Sequence, residues 1–136
     1  MQECDPLPEV GKEVTQNQIQ RYAVASGDFN PVHIDQEFAS RSTFGGTIAH
    51  GMMIAAFISE MMTVAFRESW LRGGRLKIRF SAPVYPGDTI TTFGHVNGIH
   101  DECRVRRVTC SIGVRRQTGE IAIQGNASFT VRVKGE

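Results

Sequence analysis

Asp28, Asn30, Pro31 and His33 stand together in "DFNPVH", and His50-Gly51 follow in "AHGMM". An aspartate and a histidine five positions apart, with a proline fixing the backbone between them, can aim a carboxylate and an imidazole at one point. Such a pair suits general acid and base work on a shared water, because the carboxylate orients the imidazole and raises its basicity. The plainer account is that Asp28 caps the local backbone, D-x-N-P being a good turn sequence, and that His33 satisfies a buried polar group. Gly51 adds a second element. It stands where a long apolar run begins, so the first free N–H groups of a helix, and the positive end of its dipole, emerge there. Glycine lets a substrate carbonyl come close to them, which is the layout of an oxyanion hole for a thioester that develops enolate character. A simple helix start with His50 as a neutral cap is the alternative. Ser59, on the third turn of the same run, is either a core hydroxyl bonded back to its own helix or a hydrogen-bonding group inside a site.

These residues need elements to hold them. "TQNQIQRYAVASGD" opens with a capping-box pattern, Thr15 with Gln18, and Ile19, Tyr22, Ala23 and Ser26 then share one helical face that Gly27 ends. From Asp28 to His50 the periodicity disappears: Asn30-Pro31 forces extended geometry, "DQEFASR" makes a short turn of helix, and Gly45-Gly46 breaks it. Gly51 to about Trp70 is apolar nearly all round, which predicts a buried helix. After "RGG" the period becomes two. Leu76, Ile78 and Phe80, then Ile90, Thr92, Gly94 and Val96, then Ile121, Ile123, Ala127, Phe129, Val131 and Val133, read as strands of an antiparallel sheet with one covered face, and "APVYPGD" reads as a turn. The apolar parity flips between Val105 and Val108, predicting a bulge near Arg106-Arg107. The order fits an α+β fold: a curved antiparallel sheet wrapped around one long central helix. Its open edges invite pairing with a second copy, so a homodimer or a higher oligomer is expected.

The 136 residues, 40% of them apolar, suffice for one domain with a sizeable core, here 1–136 with residues 1–9 as an N-terminal extension. A net charge of +1, with basic residues clustered only at Arg104/Arg106/Arg107 and Arg115/Arg116, argues against a nucleic-acid binder. Those arginines read as a solvated strand face or as a patch for the phosphates of a carrier. Cys4, Cys103 and Cys110 form no CxxC or zinc spacing, so no metal site and no disulfide framework is indicated. The first residues do not read as a signal peptide, and no apolar run approaches the roughly 20 residues of a membrane span. A cytoplasmic protein without membrane partners is expected.

Taken in order, "YAVASGDFNPVHID", "FGGTIAHGMMIAAFIS" and "FSAPVYPGDTI" resemble the MaoC-like dehydratase family, which includes the (R)-specific enoyl-CoA hydratases of the hot-dog fold. The resemblance covers about residues 10 to 133. It implies reversible hydration of a trans-2-enoyl-CoA thioester to the (R)-3-hydroxyacyl thioester, with no cofactor beyond coenzyme A or acyl carrier protein as the substrate's carrier. It also implies that Asp28 and His33 are the catalytic pair, that the Gly51 N–H binds the thioester oxygen, that Asn30 helps hold the turn, and that Ser59 supports the aspartate or histidine. His50 becomes a structural partner of the oxyanion-binding turn, and "IDQEFASRSTFGGTIA" an overhang covering the substrate. Glu60 stands where similar proteins carry a small residue, which bears on the bottom of the acyl pocket or on the contact with the sheet. Two other readings remain open: a hot-dog acyl-CoA thioesterase, and a non-catalytic acyl-thioester-binding subunit of a heterodimeric dehydratase.

Overall fold

The computed structural model describes residues 1–133. Strand β1 (Gly11–Glu13) leads into helix α1 (Gln16–Ser26), whose start is the expected capping box: Thr15 Oγ1 accepts from the Gln18 N–H at 3.1 Å, and Gln18 Oε1 accepts from the Thr15 N–H at 3.2 Å. Gly27 ends the helix at φ +79°, a left-handed conformation that costs glycine nothing, and its N–H closes on the Ala23 carbonyl. Two short helices follow, α2 (Pro31–Ile34) and α3 (Gln36–Ser40), each with a side-chain cap, Asn30 and Asp35 respectively.

The long apolar run is two helices, α4 (Gly51–Phe66) and α5 (Glu68–Gly73), rather than one reaching Trp70. The break is at Arg67, whose φ of +50° takes the chain out of the helix and folds Trp70 back beside α4. Nor is α4 buried on every side. Ile54, Ile58, Met61 and Met62 are enclosed, while Met52 and Val64 are 62% and 50% exposed. The sheet covers one side of the helix only, and no layer among the described residues lies over the other.

Strands β2 (Arg75–Phe80), β3 (Thr89–Glu102), β4 (Val105–Arg116) and β5 (Ile121–Arg132) complete one antiparallel sheet in the order β1-β3-β4-β5-β2. Its covered face carries Ile90, Thr92 and Val96, then Val108, Cys110, Ile112 and Val114, then Ile123, Ala127 and Phe129, all packed with α4 into one core. Burial pushes the Cys110 thiol up to about 11, so this cysteine is an inert core residue. Cys4 and Cys103 are exposed, and all three thiols are free.

The expected bulge at Arg106-Arg107 is absent, since both residues keep regular register with Asp101 and His100 on one side and with Val131 and Thr130 on the other. The register shifts instead between Val96 and Gly98 of the facing strand, and again at Val114/Arg115. Val105 misled the parity because it lies at the open end of the sheet, 41% exposed, where an apolar side chain carries no information about the core.

The two sheet edges differ. Along β3, beyond β1, the segment expected as an N-terminal extension adds backbone bonds: the Cys4 N–H to the Val96 carbonyl, the Leu7 N–H to the Gly94 carbonyl, and the Val96 N–H to the Asp5 carbonyl, with Leu7 buried. At the other edge β2 pairs only with β5 among the described residues, and apart from Ile78 all its residues are exposed. No helix among the described residues is long and apolar enough to cross a membrane.

Candidate active site

The chain between α1 and α2 forms the turn that carries Asp28 and His33. Asn30 holds it twice: its backbone N–H donates to Asp28 Oδ1 at 3.2 Å, and its side-chain oxygen accepts from the Val32 N–H. With Oδ1 engaged, Asp28 turns Oδ2 toward His33, and Oδ2 to Nε2 measures 4.0 Å. That gap is too long for a direct hydrogen bond, and one water oxygen at about 2.8 Å from each atom would span it. Asp28 is half exposed, whereas the His33 side chain is 12% exposed.

The other nitrogen of His33 fixes the tautomer of the neutral ring. Nδ1 lies 2.8 Å from the Ile48 carbonyl oxygen, which can only accept, so the neutral ring carries its proton on Nδ1 and presents a bare lone pair at Nε2 toward Asp28. The main chain of His33 is held as well. Gln16 of α1 donates to its carbonyl at 2.9 Å and accepts from the Thr47 hydroxyl at 2.7 Å, linking α1, the Asp28–His33 turn and the overhang.

Gly51 is the first residue of α4. Within the described residues neither its N–H nor that of Met52 has an acceptor, so both are free at the positive end of the helix. The approach to Gly51 is tight: a Cβ there would lie 2.7 Å from the Phe80 ring. His50 precedes it without capping the helix. Its buried ring reaches back to donate from Nε2 to the Asp28 carbonyl oxygen at 2.9 Å, and it stacks on His33 with ring centroids 3.9 Å apart. Thus Asp28, His33, His50 and Gly51, met on two separate stretches, surround one pocket of about 680 Å³. Phe44, Ile48 and Ala49 of the overhang line it, with Phe80, Val84 and Ile123 from the sheet side, so its walls are largely apolar.

The structure separates Ser59 from this group. Its hydroxyl accepts from the Trp70 indole N–H at 3.0 Å, eleven residues along, and it does not line the pocket. In this structure Ser59 ties α4 to α5, and the support expected of it for Asp28 or His33 is not among its contacts. Glu60 is also elsewhere: it pairs with Lys12 of β1 at 3.1 Å and leaves the pocket lining untouched.

Three features were missed in the sequence. The Ile48 carbonyl selects the His33 tautomer, and any residue type could supply that atom. Phe80 stands over Gly51, although strand parity showed only that it was apolar. Asp88, read as part of a turn, is the buried anchor of the overhang. It accepts from the Tyr85 N–H, from Gln117 and twice from Arg116, while the Tyr85 hydroxyl donates to the Phe44 carbonyl at 3.0 Å. Burial alone would raise the Asp88 carboxyl, but these hydrogen bonds and the Arg116 charge together hold it below the usual carboxylate value.

Asp28, His33 and His50 bring donor atoms within 4.8 Å of one another. A metal would need lone pairs that converge, yet the two imidazoles are stacked 3.9 Å apart at 25°, so their lone pairs lie in separate, nearly parallel planes. Each ring also already donates its one proton to a carbonyl. The arrangement suits proton transfer to and from a bound water.

Comparison with known proteins gives a family and a fold. The model of the MaoC like domain matches residues 2–118. An (R)-specific enoyl-CoA hydratase of Rhodospirillum rubrum is 30% identical over 128 residues, 93% of this chain and 85% of that one. A 3-hydroxyacyl-thioester dehydratase of Mycobacterium tuberculosis is 33% identical over 126 residues, 90% of this chain and 73% of that one. The unliganded structure of an (R)-hydratase from Pseudomonas aeruginosa superposes with a TM-score of 0.79 at 25% identity, covering 100% of this chain and 90% of that one.

Proposed function

The chain belongs to the MaoC-like dehydratase family, and from that membership we propose that it hydrates trans-2-enoyl thioesters reversibly to (R)-3-hydroxyacyl thioesters. It is a hydro-lyase of the enoyl-CoA hydratase and 3-hydroxyacyl-thioester dehydratase class. The observation that carries the reading is the 4.0 Å gap between Asp28 Oδ2 and His33 Nε2, in the same pocket as the free Gly51 N–H.

In this scheme a water held between Asp28 and His33 gives its proton to His33 Nε2 as its oxygen bonds to C3 of the substrate. The C2=C3 electrons move toward the thioester carbonyl, and the charge gathering on its oxygen is met by the Gly51 N–H at the helix terminus. Collapse of the enolate takes a proton at C2 from the pair, so the net change is addition of one water. The thioester itself acidifies C2, and the chemistry calls for no metal or redox cofactor. The carrier is coenzyme A or acyl carrier protein. A second copy would cover the open edge of β2 and the exposed side of α4, giving a homodimer in the cytoplasm.

A panel of enoyl-CoA substrates with chiral analysis of the products tests the reading. The expected product is the (R)-3-hydroxyacyl-CoA. Release of free thiol without hydration would make the protein a thioesterase, and binding without turnover at every chain length would make it a non-catalytic subunit.

A further inference from the structure

His50 is buried and takes no part in the scheme above, yet it touches both members of the pair. Its Nε2–H donates to the Asp28 carbonyl at 2.9 Å, and its ring lies on His33 at 3.9 Å and 25°. Tyr22 of α1 closes its surroundings at 4.8 Å, with the ring tilted by 54°. Nδ1, the nitrogen left over, is buried and has no partner among the described residues. A second proton on His50 would thus find no acceptor, and it would set a like charge against the cation that His33 becomes on taking a proton from water. Among the described residues the ionisable groups facing the stacked pair are the Asp28 carboxylate, within 4.8 Å of a nitrogen of each ring, and the Tyr22 phenol beside His50.

The geometry points to His50 as a positioning residue for the hydration, a ring held neutral whose N–H fixes the Asp28 turn and whose face supports His33 as it becomes charged. Two separate actions are involved. The hydrogen bond sets where Asp28 sits relative to the first turn of α4, and so relative to the Gly51 N–H. The stack fixes the plane of His33, whose side chain is 12% exposed, and gives its cation an uncharged π-face to rest on. Neither action contacts the substrate, so both belong to turnover more than to binding.

This inference rests on the hydratase reading, and its test is arranged to separate the two. His50→Gln keeps an N–H donor but loses the ring, and His50→Phe keeps a ring but loses the donor. His50→Gln is expected to lower kcat by about 3- to 30-fold, the range of a desolvated cation–π contact, and His50→Phe by about 3- to 10-fold, the range of one hydrogen bond, each with KM within about twofold of wild type. Independently of turnover, long-range proton–nitrogen spectra of the wild-type protein at pH 7 should show His50 protonated on Nε2 and His33 on Nδ1. A folded His50→Gln variant with kcat within twofold of wild type, or His50 found protonated on Nδ1, would overturn the inference. Wild-type protein that hydrates no enoyl thioester would overturn the hydratase reading, while the spectra would still decide how His50 is held.

Discussion

His33 Nδ1 and the Ile48 carbonyl oxygen lie 2.8 Å apart, and this one contact decides which nitrogen of His33 can act as a base. Ile48 belongs to the overhang, two residues before His50, so the segment that roofs the pocket also sets the tautomer beneath it. Pocket shape and proton chemistry are therefore coupled through a backbone atom. The overhang is in turn held by the Ala49 N–H on the Val84 carbonyl and by the Tyr85 hydroxyl on Phe44.

Gly51→Ala keeps the backbone N–H but places a Cβ 2.7 Å from the Phe80 ring. Phe80 is half exposed and can swing aside, into the space a thioester would need. We expect kcat to fall by about 10- to 100-fold, less than outright loss of an oxyanion donor at the upper end of its range. Trimming the ring with Phe80→Leu in the same chain should restore part of it. Steady-state kinetics of the single and double variants check this.

Ser59→Ala separates the observed role of Ser59 from the one implied by resemblance. The variant leaves the Trp70 indole N–H without its acceptor, so it should lose about 1 kcal/mol of stability in denaturant titration, with kcat within twofold of wild type. A large fall in kcat at unchanged stability would return Ser59 to the site.

The Asp88–Arg116 pair gives a pH-dependent prediction. Because the folded carboxyl is held below its unfolded value of 3.8, its contribution is fully present above that value and is lost as pH falls through the folded one. Asp88→Asn should cost about 2–4 kcal/mol at pH 7, since Arg116, 17% exposed, would be left without its main partner. The gap between variant and wild type should narrow below pH 4. Unfolding curves at pH 7 and pH 3 measure both effects.

Much of the site was legible because its residues act through their own types. Pro31 at the first position of α2, Asn30 as its cap and Gly27 at φ +79° leave the turn that carries Asp28 and His33 little freedom, and each is a local signal. The register of the core strands was legible for a similar reason, since Ile90, Val96, Ile123 and Phe129 repeat with the period of the pleat. What escaped depends on partners distant in sequence. An arginine at φ +50° breaks the long helix, and nothing local marks Arg67 for that conformation. Met52 and Val64 look like core residues because composition cannot show which side of a helix the sheet will cover. Ser59 fits either role until the chain turns at Arg67 and brings Trp70 to it.

The proposed hydration depends above all on the Asp28–His33 pair, and crotonyl-CoA hydration followed at the enoyl absorbance measures it. Asp28→Asn and His33→Gln should each lower the rate by about 10²- to 10⁴-fold while the protein stays folded. Active wild-type protein alongside two folded variants of undiminished rate would contradict it.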